Sequence, residues 1–325
     1  MTSTTCPLCK FRHSTKLFNA KTEKSEFTII QCQQCGLTRT FPMPDDSVLE
    51  LHNKPQYYGE KENKFIPVIQ NIRDRLSKIR AGKYLSMIRV SDRRPKILDI
   101  GCAEGRLLRS FLQCGCDCYG IEHSSYPKER FLDSDRIKYL TGDLSSFELN
   151  KEFFDIIIMW HVLEHMEDPL RITGIIHELL RPDGIFILAV PNFSSIEAGI
   201  FKDRWFHLDI PWHKYHFTER ALQYLIEKNN FEEFKFTTFC FEQGIYGIVQ
   251  SCLNLMGWQQ NELYELMKGN ARYARSVYLI LQSFIGVLFL IPCAFFSFAA
   301  SVMEKGSVLK VVLRKKQKMA DHESI

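Results

Sequence analysis

The stretch Lys96-Ile-Leu-Asp99-Ile-Gly101-Cys102-Ala103-Glu104-Gly105-Arg106-Leu107 reads as a short apolar strand that breaks into a glycine-containing turn and opens a helix. Gly101 and Gly105 permit a tight turn. They also let a ligand approach the backbone at a helix N-terminus, where unpaired N–H groups favour an anionic group. The spacing is Gly-x-Ala-x-Gly, which differs from the Gly-x-Gly-x-x-Gly of dinucleotide-binding turns, so the turn alone names no ligand.

Moving outward, the alternation of strand and helix repeats. Strands are expected over 117–122, 137–141, 154–160 and 185–190, with helices over 104–113, 127–133 and 169–180. Asp155-Ile-Ile-Ile-Met-Trp160 and Gly184-Ile-Phe-Ile-Leu-Ala-Val190 are near-continuous apolar runs, the pattern of strands covered on both faces. The fold class is therefore α/β, a doubly wound parallel sheet that binds ligands at the carboxyl ends of its strands. Two acids stand at such ends. Glu122 closes the second strand 21 residues after Gly101, where a ribose diol would lie, and Asp143 follows the third.

In order, Asp99-Ile-Gly-Cys-Ala-Glu-Gly105, Glu122, Gly142-Asp143, Phe154-Asp155 through Trp160-His161-Val-Leu-Glu164-His165 and Asp168-Pro169, Leu180-Arg-Pro-Asp-Gly184 and Val190-Pro191-Asn192 resemble the class I S-adenosylmethionine-dependent methyltransferases. The resemblance covers roughly residues 90–240 and implies a Rossmann-like sheet of seven strands. It further implies that the backbone from Gly101 through Ala103 to Gly105 meets the methionine part of the donor. Glu122 would bind the ribose hydroxyls, Asp143 and the Leu144 amide the adenine, and Asp99 the turn and, through water, the amino group. Trp160, ending the fourth strand, joins this cofactor set. Ala103 departs from the glycine frequent in the family, a tolerated change.

Beyond Asn192 lies Trp205-Phe-His207-Leu-Asp209-Ile-Pro-Trp-His213-Lys-Tyr-His216-Phe217-Thr218, which this fold would set over the open end of the sheet. A neutral imidazole can take a proton from an acceptor as the methyl group arrives. His213 is the expected general base, with His165, His207 and Asp209 as further candidates; a metal on His207, Asp209 and His213 is a lesser alternative. Thr218 is placed to cap a following helix. Similar histidine-rich segments occur in sugar methyltransferases with N-terminal cysteine ribbons and in ubiquinone-pathway O-methyltransferases.

Toward the N-terminus, Cys6-Pro-Leu-Cys9 and Cys32-Gln-Gln-Cys35-Gly36 are separated by 22 residues. Four thiolates with no open position describe a structural zinc ribbon, with Phe27–Gln31 as the strand entering the second pair. The other seven of the 11 cysteines lack ligand spacing. No secretory signal is readable at the start, so a cytosolic chain is expected.

The 325 residues are 45% hydrophobic and 25% charged, which excludes disordered and disulfide-scaffold classes. The formal charge of +4 is unevenly spread. Residues 1–95 carry 17 Lys/Arg against nine Asp/Glu, residues 96–240 carry 16 against 23, and residues 241–325 carry nine against six. The expected organisation is a ribbon (1–45), linker and leading helix (46–95), cofactor domain (96–240), apolar insertion (241–306) and last strand with basic tail (307–325).

Ser276–Met303 is 28 residues without a charge, about 42 Å as a helix and long enough to cross a bilayer. A sixth strand is expected over Phe231–Phe239 and the seventh over Ser307–Arg314. Returning to the same sheet puts both ends of the run on one side of a membrane. The expectation is an apolar helical hairpin bending at Pro292, lodged on the cytoplasmic leaflet. Arg272, Arg275, Lys305, Arg314, Lys315, Lys316 and Lys318 would meet its headgroups.

The expected function is O- or C-methylation of a small-molecule, glycan or lipid-linked acceptor at a membrane surface, with S-adenosylmethionine and structural zinc as cofactors. Alternatives are a zinc-ribbon RNA base methyltransferase, which the basic N-terminal third would serve but the uncharged run disfavours, and a non-catalytic cofactor-binding scaffold.

Overall fold

The computed structural model describes residues 5–22, 24–45, 47–48, 67–123, 128–257, 260–267 and 277–316. Residues 49–66 of the expected linker and leading-helix region, and Arg272, Arg275 and Lys318, lie outside these residues.

The central sheet contains β4 (Lys96–Ile100), β5 (Asp117–Glu122), β6 (Lys138–Thr141), β7 (Phe154–Trp160), β8 (Leu180–Pro191), β10 (Phe231–Thr237) and β11 (Val308–Lys315). Its order is β10-β11-β8-β7-β4-β5-β6. The strands β6, β5, β4, β7 and β8 pair in parallel. β11 runs antiparallel to both β8 and β10. This is the seven-stranded Rossmann-like arrangement that the family resemblance implied.

Both faces of the sheet are covered, which is why Ile156–Met159 of β7 and Ile185–Val190 of β8 are continuously apolar and buried. On one face α3 (Pro169–Leu179) and α5 (Glu219–Lys228) pack on Leu98, Ile157, Leu188 and Val311. On the other, α1 (Pro67–Leu85) and α2 (Arg106–Gln113) cover Ile97, Ile156, Ile158 and Ile187. Local signals start these helices. Asp168 accepts from the Arg171 amide ahead of Pro169, Thr218 from the Ala221 amide, and Ser195 from the Ala198 amide ahead of the short α4 (Ile196–Phe201), each cap contributing about 1 kcal/mol.

One expected helix is absent. Over 127–133 the described residues form only a 3-10 turn at Lys128–Arg130. The segment is drawn down instead: Leu132 N–H donates to Glu104 O at 2.8 Å, and Phe131 stacks on Tyr139 with ring centroids 4.1 Å apart.

A second, antiparallel sheet is built by β1 (Ser14–Lys21), β2 (Glu26–Cys32), β3 (Thr38–Phe41) and the two-residue β9 (Tyr215–His216), in that order. Its first three strands belong to the cysteine ribbon. Its fourth belongs to the histidine-rich loop.

Between β10 and β11 the chain forms α6 (Phe241–Leu255), α7 (Glu262–Met267) and α8 (Val277–Val302). This is the apolar helical hairpin, divided differently from expectation. α8 runs unbroken through Pro292 for 26 residues, about 39 Å, and its partner limb is α6. Packing overrides the proline: Ile285, Phe289, Cys293 and Phe296 hold one side of α8 against Ile248, Val249 and Leu253 of α6 and Trp205 of the loop. The other side is bare. Phe284, Val287, Leu288, Ile291, Phe295, Phe298 and Val302 form one apolar stripe, with Ile291 82% and Phe295 75% exposed. Among the described residues, α8 over Leu281–Val302 is the one helix long and apolar enough to cross a membrane, and only 22% of that window is buried.

The expected basic flanks do not all border this helix. β11 begins beside Pro191 and ends beside Phe231, so Arg314 and Lys315 sit at the opposite end of the strand from α8. There Arg314 covers the Phe234 ring and donates to Met87 O, while Lys315 approaches Glu152 at 3.6 Å. Lys305 stays at the helix end, its amide bonded to Ala300 O.

Candidate active site

The donor half of the site is assembled at the carboxyl ends of β4, β5 and β6. Gly101 and Gly105 have φ of +75° and +82°. Neither tolerates a side chain: a Cβ would lie 2.2 Å from Val162 Cγ2 at Gly101 and 1.8 Å from the Tyr139 hydroxyl oxygen at Gly105. Ala103 between them also has positive φ, +48°. Its N–H donates to Glu122 Oε2 at 2.7 Å, and the His123 N–H donates to Oε1 at 2.8 Å. The carboxylate of Glu122 is therefore fixed in orientation while each oxygen keeps lone-pair capacity for a further hydrogen. Asp143 is exposed just past β6. It opens the 3-10 turn Leu144–Ser146 with its side chain uncommitted to capping, while Leu144 is buried in the core.

Asp99 is 6% exposed, and burial, with Glu122 adding to it, pushes its carboxyl up to about 8. A buried acid so raised is stabilised by a cationic neighbour. That suits a donor bearing a sulfonium and an ammonium group, so the chain's own residues fit S-adenosylmethionine. Trp160 ends β7 with its ring between Arg80, 4.7 Å from the centroid, and Lys310, 5.7 Å from it. It packs on Ala189, Cys240 and Val308 and borders the cluster under α1 and α2, and neither Glu122 nor Asp143 is in these clusters. Arg80 of α1 is the residue of the leading helix that reaches it.

Opposite lies a cluster of histidines. His213 is 6% exposed; its Nδ1 lies 2.9 Å from His207 O, an acceptor only, so the ring donates there and carries its lone pair on Nε2. Nε2 stands 3.7 Å from Asp209 Oδ2 and 4.0 Å from Glu164 Oε1. Burial pushes the His213 pKa down to about 4, with Glu164 pulling the other way. His165 donates through Nδ1 to Trp212 O at 2.9 Å, and its ring meets that of His213 at 4.7 Å. Burial and His213 lower its pKa. His207 donates through Nε2 to Gln243 O at 3.1 Å, and burial lowers it to about 3.

Two members of this cluster were not singled out from sequence. Glu164 is fully buried, its pKa raised by burial and pulled back by His213 and His165, and its Oε2 has no hydrogen-bond partner in the structure. His161 approaches Glu164 Oε1 through Nδ1 at 3.2 Å. An acid and a histidine three residues apart, straight after a strand, was the available signal. Glu164, His165 and His213 bring one ligand atom each within 4.8 Å of one another, so they could hold a divalent ion. Among the described residues, His207, Asp209 and His213 do not bring their ligand atoms together in this way, so Glu164, His165 and His213 replace that set.

The four ribbon cysteines also have ligand atoms within 4.8 Å of one another. Cys6–Cys35 and Cys9–Cys32 sulfurs are 3.5 and 3.4 Å apart, against about 3.8 Å for tetrahedral sulfurs around zinc. Both knuckles turn back on themselves: Lys10 N–H donates to Cys6 O and Gly36 N–H to Cys32 O. These residues fit zinc.

A family model described as a methyltransferase domain matches residues 68–233. A ubiquinone biosynthesis O-methyltransferase from Haemophilus ducreyi is 31% identical over 107 residues, covering 30% of this chain and 45% of the relative. A second, from Cereibacter sphaeroides, is 28% identical over 145 residues, covering 41% and 58%. The chain thus spans about half the length of the curated relatives it matches. Among solved structures, a candidate sarcosine dimethylglycine methyltransferase from Galdieria sulphuraria aligns with TM-score 0.51 at 16% identity, covering 84% of this chain and 100% of that one, a likeness of fold.

Proposed function

This chain belongs to the methyltransferase-domain family, and from that membership we propose that it transfers the methyl group of S-adenosylmethionine to a hydroxyl of a small lipid-soluble or lipid-linked acceptor. The observation carrying the acceptor class is the bare apolar stripe of α8 on a helix pair that also touches the histidine loop: Gln243 O receives His207, and Ser251 Oγ receives the Phe206 amide. A stripe about 27 Å long, from Phe284 to Val302, would lie in the interfacial layer of the cytoplasmic leaflet beside the acceptor side of the site. The shared name of the curated relatives supports oxygen as the methylated atom.

S-adenosylmethionine supplies an electrophilic methyl group when bound. The rest falls to the chain. Glu122 would hold the ribose hydroxyls, Asp143 and Leu144 N–H the adenine, and Asp99 the cationic end. His213 is the general base, taking the acceptor's hydroxyl proton on Nε2, with its ring direction set by His207 O. Asp209 and Glu164, within 4.0 Å, offset the imidazolium charge that forms.

The test uses the full chain with labelled S-adenosylmethionine and, separately, membranes and soluble extract. Label entering an organic-extractable product from membranes is the expected result. Label confined to RNA, or to no product at all, overturns the proposal.

A further inference from the structure

The ribbon reaches the histidine loop through one buried strand. β3 pairs with β2 on one edge and β9 on the other, with Thr38 opposite His216 and Arg39 opposite Tyr215. The Thr40 N–H donates to Lys214 O at 3.1 Å. Thr40 itself is 1% exposed, and its hydroxyl makes two contacts: His213 O at 2.8 Å and His216 Nε2 at 3.0 Å. Below it, Thr218 donates to Gly36 O, the carbonyl next to Cys35. On the far side, Phe193 N–H donates to Phe217 O at 2.8 Å, tying the loop to the ligand end of β8.

Counting protons fixes the roles. A threonine hydroxyl has one hydrogen, and a carbonyl oxygen can only accept. The Thr40 hydrogen therefore goes to His213 O, and its oxygen accepts from His216, which must carry its proton on Nε2. The neutral His216 ring is thereby confined to one tautomer, with its lone pair on Nδ1, an atom with no hydrogen-bond partner in the structure.

We propose that Thr40, supplied by the cysteine ribbon, is a positioning residue for the acceptor-side histidines: it pins the backbone of His213 and selects the tautomer of His216. The ribbon is then the outer wall of the acceptor side, and its strand sets where the base stands. This rests on the reading of His213 as base for its effect on turnover, but the clamp itself stands on the hydrogen bonds alone.

The test compares Thr40→Val with Thr40→Ser in the full zinc-loaded chain, using the membrane-derived acceptor fraction. Valine keeps the shape and removes both bonds; serine keeps the hydroxyl. Expected for T40V is a roughly 10- to 100-fold lower kcat with S-adenosylhomocysteine affinity and zinc content unchanged, and for T40S a kcat within about threefold of the parent. Imidazole nitrogen NMR should show the His216 tautomer becoming mixed in T40V alone. Unchanged kcat in T40V, or a loss that serine fails to restore, overturns the positioning role. His213→Ala separates the two readings: turnover kept in H213A and lost in T40V removes His213 as base and leaves the clamp.

Discussion

The backbone N–H of Ala103 donates to Glu122 Oε2 at 2.7 Å, so the glycine turn after β4 and the last residue of β5 orient each other. Replacing Glu122 by Ala removes both this support and the carboxylate expected on the ribose. Two hydrogen bonds to a charged group at about 1.5–3 kcal/mol each put the loss of donor affinity at roughly 100-fold or more. Glu122→Gln should lose about tenfold. Calorimetry with S-adenosylhomocysteine measures both, and an affinity untouched in E122A would remove Glu122 from the donor site.

His213→Ala is expected to lower turnover by about 10²- to 10⁴-fold, the range of a general base, without changing S-adenosylhomocysteine binding. Near-parental turnover would take His213 out of that role.

Asp99 gives donor binding a pH dependence with a definite sign. In the donor-free fold its pKa is pushed up to about 8 by burial and by Glu122. A cationic donor favours the ionised form, so binding below pH 8 releases a proton, and affinity climbs by up to about tenfold per pH unit until it levels near 8. The same linkage makes the donor-free chain less stable as pH rises from about 4 to 8, because the folded state keeps a proton that the unfolded chain has lost. Calorimetry in buffers of different ionisation heat reads the released proton. Asp99→Asn should abolish it, and zero release by the parent at pH 6.5 would contradict the assignment.

Ile291→Glu with Phe295→Glu puts charges on the barest part of the α8 stripe. Each apolar side chain contributes about 1.5–3 kcal/mol when taken from water, so flotation with anionic vesicles should fall by at least about 100-fold. S-adenosylhomocysteine affinity should stay as it was. Undiminished flotation would mean that the stripe does not face lipid.

One zinc per chain is expected by elemental analysis, and Cys32→Ser should lose it. Since Gly36 O receives the Thr218 hydroxyl, loss of the metal should also lower the melting temperature of the whole chain. A zinc-free parent, or a C32S variant that melts like the parent, would exclude the structural site.

Much of the sheet was legible because its signals are local. β5 and β7 span 117–122 and 154–160 as expected, and β7 carries the clearest signal because Ile156–Met159 is buried on both faces. Pro292 misled, because local helix breaking was outweighed by a side of α8 packed along its length on α6. The turn at Lys128–Arg130 replaced a helix for a similar reason, Tyr139 and Glu104 holding the segment from afar. The donor acids stand at strand ends that a one-dimensional pattern can locate. Glu164 and Thr40 could not be found that way. Thr40 lies 173 residues from the carbonyl it binds, and only the closed fold brings them together.

β11 lies between β8 and β10, so the middle of this half-sheet comes from the far side of the apolar hairpin. Bringing Val308 back to Thr237 across a flexible chain of that length costs about 4 kcal/mol of loop-closure entropy, and strand pairing so distant in sequence forms slowly. A packed α6–α8 pair shortens the effective loop to a pair of antiparallel rods. The hairpin thus has work to do before any surface is met: it chaperones its own sheet. A deletion meant to make the chain more soluble would be expected to leave β8 with an open, aggregation-prone edge unless a short turn rejoined Thr237 to Val308.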